Sequence, residues 1–247
     1  MHLVTDRGPD DPACADLVRR LATALPGAIV QLTVVAPCDT LAAGCCVAEL
    51  AVEDATAERL VAHDVTPGPG DPGPWPDGAG EQLCVGRSAT GVLIVGPNRG
   101  WGWSFAVDAL RGLCCMDIVP RDVDDRLPLA LRHARKRHPH AVTGTVSRAA
   151  VPAPPERAVA YIDEAGTLKT TLAALPADVG SRVLVEIGDV RAPALVSDGS
   201  VAVPDGELAL APGPAGGYLQ LLQRGGSAAE RFAEPATGTP IRVMPAA

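Results

Sequence analysis

Apolar residues recur at Cys14, Leu17, Val18, Leu21 and Leu25, a spacing that keeps one face of an α-helix apolar. Asp11 is placed to cap that helix and Pro12 to fill its first position. The short apolar run His2-Leu3-Val4 before it reads as a strand. The same pattern predicts a strand over 28–35, an Ala- and Cys-rich helix from Thr40, and strands over 60–65 and 92–95. A helix over 104–111, a short strand over 116–119 and a last helix over 127–136 complete this half. Strands alternating with helices imply an α/β domain with a mostly parallel sheet flanked by helices. The Pro- and Gly-rich stretch 67–80 has no periodicity and is predicted to be a long loop.

The pattern changes at Val151-Pro152-Ala153-Pro154-Pro155, which reads as a stiff linker. Beyond it, short runs over 158–162, 182–187, 200–203, 207–211, 218–222 and 241–244 alternate with Gly and Pro turn signals. Such runs suggest a small all-β, barrel-like domain. The expected organisation is an N-terminal α/β domain over 1–150, a linker over 151–156 and a C-terminal β domain over 157–247.

The composition is that of a folded chain: 47% hydrophobic and 20% charged over 247 residues. No apolar run has the length of a membrane span, and no signal-peptide pattern precedes the first strand. A net charge of −8 argues against nucleic acid as partner. The cysteines at 14, 38, 45, 46, 84, 114 and 115 are odd in number and lack C-x-x-C spacing. They suit neither a disulfide framework nor a zinc site, so reduced thiols in a cytoplasmic protein are expected.

Candidate chemistry begins at Thr5-Asp6-Arg7-Gly8-Pro9-Asp10-Asp11-Pro12, where an acid follows the first strand at a glycine turn. Open α/β sheets bind ligands at the carboxyl ends of their strands. Asp11 reads equally as a helix cap. On the strand ending at Thr66, alternation puts Asp64 on the face of Thr66 and His63 on the other; a lone strand histidine is more often structural than catalytic. Trp101 and Trp103 suit a pocket lining, or packing at a sheet edge.

The opening segment resembles the T-D-x-G-x-x-D-P signature of the S-adenosylmethionine hydroxide adenosyltransferase, fluorinase and chlorinase family. Val95-Gly96-Pro97-Asn98-Arg99-Gly100 is similar to that family's V-G-P-x-N-G turn, and the segment from Tyr161 to Leu168 to its Y-I-D-x-F-G-N-L element. Gly206-Glu207-Leu208, Gly217-Tyr218-Leu219 and Ser227-Ala228-Ala229 resemble its closing elements, in order. The resemblance covers residues 2 to 244.

The functional positions depart from the family's pattern. The Asp and Arg of the water-using members' Asp-Arg-His set fall at Thr66 and Gly73 and the His near Asp122, and the aromatic-Tyr-Ser or Gly halide site is absent. The Phe expected to stack on adenine is Ala165, the following Asn is Thr167, and the N-S-R-G loop aligns with Pro214 to Gly217. Asp6, Asp11, Asp39 and Asp163 are retained.

A scaffold for direct displacement that has lost its nucleoside contacts implies another substrate. The pattern is similar to the branch of paired proteins that close the aziridine of azinomycin-type antibiotics, where an amine attacks an adjacent carbon and expels sulfate. The resemblance then implies an SN2-type enzyme, or subunit of one, that uses no S-adenosylmethionine and no other cofactor. Asp6, Asp11 or Asp64 would supply the base. Arg7, Arg99, Arg121 or backbone amides would meet the leaving anion, with Asp39, Thr66, Asn98, Asp122, Asp163 and Thr167 as further substrate-binding candidates. The implied partners are a small amino-sulfate substrate, free or tethered to an amino-group carrier protein, and further subunits in a trimer or a hetero-oligomer with a homologous chain. The alternatives are an S-adenosylmethionine-cleaving adenosyltransferase (hydroxide or halide) and a non-catalytic subunit that completes a partner's site.

Overall fold

The computed structural model describes residues 1–52, 59–75, 81–120, 122–137, 141–214 and 217–246. The chain divides into two compact units, Met1–Ala153 and Pro154–Ala247.

In the first unit, β1 (His2–Thr5) leads into α1 (Pro12–Ala24). Asp11 Oδ1 accepts the Ala13 N–H at 2.8 Å, and Pro12 occupies the first turn, where a missing N–H costs nothing. β2 (Gln31–Val34) and α2 (Thr40–Val52) follow, then β3 (Leu60–Asp64). β4 (Leu83–Ser88), β5 (Leu93–Pro97), β6 (Leu110–Met116), α3 (Arg126–Arg135) and β7 (Val142–Thr145) complete the unit. The strands form one sheet in the order β2-β1-β3-β5-β4-β6-β7.

This sheet is mixed, which corrects the expectation of a mostly parallel one. β1, β2, β3 and β5 run parallel, but β4 pairs antiparallel with β5 and β6, and β6 antiparallel with β7. The cause is the short connection between β4 and β5, too short for the crossover that a parallel pair needs. The helix expected over 104–111 is reduced to a single 3-10 turn at Val107–Ala109. Trp103 holds that segment in turns: its carbonyl accepts from Ala106 and Val107, and its indole N–H donates to the Pro97 carbonyl at 3.0 Å. The chain then enters β6.

α1 and α3 share one face of the sheet. Leu17 and Leu21 of α1 and Leu127 and Leu131 of α3 pack with Leu3, Ala62, Leu83 and Val95 from the strands. Each such leucine contributes roughly 1.5–3 kcal/mol of burial. α2 is buried almost all round from Thr40 to Ala48, as its largely apolar sequence requires, and packs against β1, β3 and β5. The segment from Trp101 covers it closely, leaving no room for a side chain at Gly44, which would run into the Trp101 carbonyl.

The second unit holds β8 (Val159–Ile162), β9 (Leu168–Thr170), β10 (Arg182–Ile187), β11 (Val190–Val196), β12 (Leu208–Pro212), β13 (Leu219–Gln223), the single-turn α4 (Ala228–Arg231) and β14 (Ile241–Pro245). Its seven-stranded sheet, ordered β14-β10-β11-β12-β13-β9-β8, curls into a half-barrel whose edges are tied by a bridge between Ala158 and Pro240. The core inside includes Val185, Ile187, Leu210, Leu221 and Phe232. The strand expected over 200–203 does not form, because Asp198 and Ser197 side chains capture the Ser200 and Gly199 N–H groups in turns. Strands β4, β7, β9 and β11 are additions to the expected set, and β6 lies at 110–116, meeting the strand expected over 116–119 only at Met116.

No helix among the described residues is long and apolar enough to cross a membrane. None of the seven cysteines is in a disulfide. Cys84 and Cys115, directly paired across β4 and β6, bring their sulfurs to 3.3 Å.

Candidate functional site

β1 lies between β2 and β3, so the chain leaves it on one side and returns on the other. That reversal opens a crevice at the carboxyl ends of β1 and β3, the place where open α/β sheets take their ligands. Thr5 and Asp64 are directly paired there. Past Thr5 the chain turns, with the Arg7 N–H on Thr5 Oγ1 at 3.2 Å, and the Arg7 guanidinium reaches Asp64 Oδ2 at 3.3 Å.

A cavity of about 360 Å³ lies beside this pair. Its ionic lining comprises Arg7, Arg99 and Arg126 with Asp16, Asp64, Glu81 and Asp124. Thr66, Pro67, Pro97 and Leu127 are among the remaining walls. Burial pushes the Asp64 carboxyl above the usual carboxylate range; Arg7 opposes the shift, and Asp6, Asp124 and Glu81 add to it. Glu81 carries two ion pairs, Oε2 with Arg99 Nη1 at 2.6 Å and Oε1 with Arg126 Nη1 at 3.2 Å.

The candidates from the sequence distribute as follows. Arg7, Asp64, Thr66 and Arg99 come together in the cavity wall. Asp6 accepts the Cys38 N–H at 3.1 Å, and Asp11 caps α1. Asp39 Oδ1 accepts the Ala42 N–H at 2.9 Å at the start of α2. Asn98 is buried, accepting from Gln82 and donating to the Trp75 carbonyl. Asp122 caps a 3-10 turn through the Asp124 N–H and pairs with Arg20 at 2.9 Å. In the second unit, Asp163 Oδ1 accepts from Ala165 and Thr167 within one turn. Arg121 lies outside the described residues.

Asp16, Glu81, Asp124 and Arg126 belong to the lining but escape sequence reasoning. They come from a helix face, a loop end, a 3-10 turn and a helix start, and no spacing links them. Asp71, outside this lining, is held by the start of α2 and by its own loop: its Oδ2 accepts from Thr40 Oγ1 at 2.6 Å and from the Gly68 N–H at 3.1 Å. No group of His, Cys, Asp and Glu among the described residues is arranged to hold a metal ion.

His63, on the opposite face of β3, is enclosed. A side chain at Gly96 would run into its Nε2, and one at Gly102 into its Cε1. Trp103 stands edge-on, with ring centres 5.7 Å apart. Burial lowers its pKa to about 4, so the ring is neutral at pH 7.

No family model matches the chain, and no curated protein matches it. Among solved structures, an uncharacterized conserved protein from Thermotoga maritima superposes with a TM-score of 0.70 at 16% identity, covering 98% of this chain and 99% of its own. A conserved hypothetical protein from Thermus thermophilus gives a TM-score of 0.67 at 24% identity, covering 98% of both chains. These likenesses establish a shared fold over nearly the whole length.

Proposed function

We propose that this chain is a substitution enzyme of secondary metabolism, or one subunit of such an enzyme, that joins an amine nitrogen to an adjacent carbon and expels an oxyanion. The observation that carries the reading is the two-signed crevice beside Asp64, where carboxylates and guanidinium groups face one volume of about 360 Å³. A volume of that order suits a small molecule, and its charges suit one bearing both an amine and an anionic leaving group. The family resemblance of the sequence supplies the leaving group, sulfate, and the product, an aziridine.

In the step, the amine lone pair forms the new C–N bond as the C–O bond breaks, and the bonding electrons depart with sulfate. The ammonium proton passes to Asp64, which its raised pKa makes a stronger base than an exposed aspartate. Among Asp6, Asp11 and Asp64, only Asp64 lines the crevice. Guanidinium donors receive the anion. Because nucleophile and electrophile share one molecule, near-attack geometry supplies much of the remaining acceleration. The reading includes cytoplasmic work on a free or carrier-tethered substrate, in a trimer or hetero-oligomer with a homologous chain, without S-adenosylmethionine.

The test is release of sulfate and of the ring-closed product from an amino-sulfate substrate, with and without the homologous chain. Asp64→Asn is expected to lower turnover by about 10²-fold or more with the fold retained. Wild-type turnover should fall with pH on an acid limb lying above the usual carboxylate range. Absence of sulfate release under every condition overturns the reading. Adenosine release from S-adenosylmethionine would favour the adenosyltransferase alternative.

A further inference from the structure

Glu81 bridges two arginines that arrive from different elements. Arg99 follows the end of β5, and Arg126 is the first residue of α3. One carboxylate oxygen serves each guanidinium, and Arg126 Nη2 also donates to the Glu81 carbonyl at 2.7 Å. Neither arginine is placed for the stability of its own element. A cation at the start of a ten-residue helix faces the positive end of the helix dipole. Arg99 Nε is buried and has no acceptor among the described residues.

These donors exceed what one carboxylate absorbs. Each of these two guanidinium groups carries five N–H groups; the third guanidinium of the cavity, that of Arg7, has its own partner in Asp64 at 3.3 Å, and Asp16 and Asp124 also face the volume. Donors converging from several directions, with a helix N-terminus beside them, fit a tetrahedral oxyanion better than a planar carboxylate. Glu81 is free to yield, since its side chain is 42% exposed and can turn into water.

We infer that Glu81 is an internal stand-in anion, displaced from Arg99 and Arg126 when the sulfate or phosphate group of a ligand binds in the crevice. The inference deepens the displacement reading, on which it rests for the chemistry that follows binding, by naming the residues that receive the departing group.

Calorimetry on the full chain at fixed, low ionic strength tests it, with inorganic sulfate and inorganic phosphate as probes. Glu81→Gln removes the competing charge and is expected to tighten sulfate binding by at least about tenfold. Glu81→Asp, which withdraws the carboxylate from one arginine, should tighten it less and serves if the first variant folds poorly. Arg99→Ala added to either variant should abolish the gain. Unchanged or weaker sulfate binding in both Glu81 variants overturns the inference, as does a gain that survives Arg99→Ala. The measurement needs no turnover. A chain that binds oxyanions in this way but releases no product keeps the inference and loses the displacement reading, and a chain that turns over with no gain does the reverse.

Discussion

On β3 the side chain of His63 enters the face opposite α1 and α3, and that of Asp64 enters the face they cover. The two residues are neighbours in sequence and share a backbone. His63 meets two glycines and the edge of Trp103, is 2% exposed, and is driven neutral by burial. Asp64 meets Arg7 beside a cavity, and its raised carboxyl is set by burial against the charges around it. Strand alternation thus separates a titratable group packed in the core from one that faces a cavity, and the distinction comes from what each side chain meets.

The largest expected effect breaks the packed side. Gly96→Ala drives a methyl group into His63 Nε2, with the rest of the ring close behind. Relief requires the ring or β5 to move, at a cost of about 3 kcal/mol or more. All the tryptophans, at 75, 101 and 103, lie in the first unit, so their fluorescence follows its unfolding in denaturant. Adding His63→Ala should restore most of the loss. Gly96→Ala with wild-type stability would show that His63 is not confined.

The next effect is set by pH. His63 titrates at about 4 when folded and near 6.5 when unfolded, so below 6.5 the unfolded chain binds the extra proton. Stability is therefore full above pH 6.5 and falls as pH drops toward 4, with about 2 kcal/mol lost by pH 5. His63→Phe should remove this component from the difference between pH 7.5 and 5. An unchanged pH dependence in that variant would assign the acid loss to other groups.

What the sequence reveals follows the same division between periodic and convergent features. α1, α3 and β3 are legible because each buries one face and keeps a regular alternation. β4 is not, since Gly86 and Arg87 interrupt its apolar run, and β11 carries Pro193, normally a mark against an interior strand. The structure tolerates that proline because β12 pairs only with Ala194 to Val196, so no β12 residue stands opposite Pro193. In the crevice, Arg7, Asp64, Thr66 and Arg99 were legible because strand ends announce themselves. Glu81 and Arg126 were not, because their meeting depends on how a loop end and a helix start converge, which no local pattern encodes.

The smallest expected effect sharpens the contrast from outside the crevice. Asp11 belongs to the same opening segment as Arg7, yet its carboxylate is occupied by the Ala13 N–H at the exposed start of α1. Asp11→Ala leaves that N–H to water and should cost about 1 kcal/mol of first-unit stability. Asp11→Gly should cost only a few tenths, because glycine tolerates the cap conformation. Turnover at a temperature where both variants are folded should match the wild type, unlike the roughly hundredfold loss expected of Asp64→Asn. A hundredfold loss in Asp11→Ala with unchanged denaturation would move the base to α1 and leave Asp64 as the anchor of Arg7.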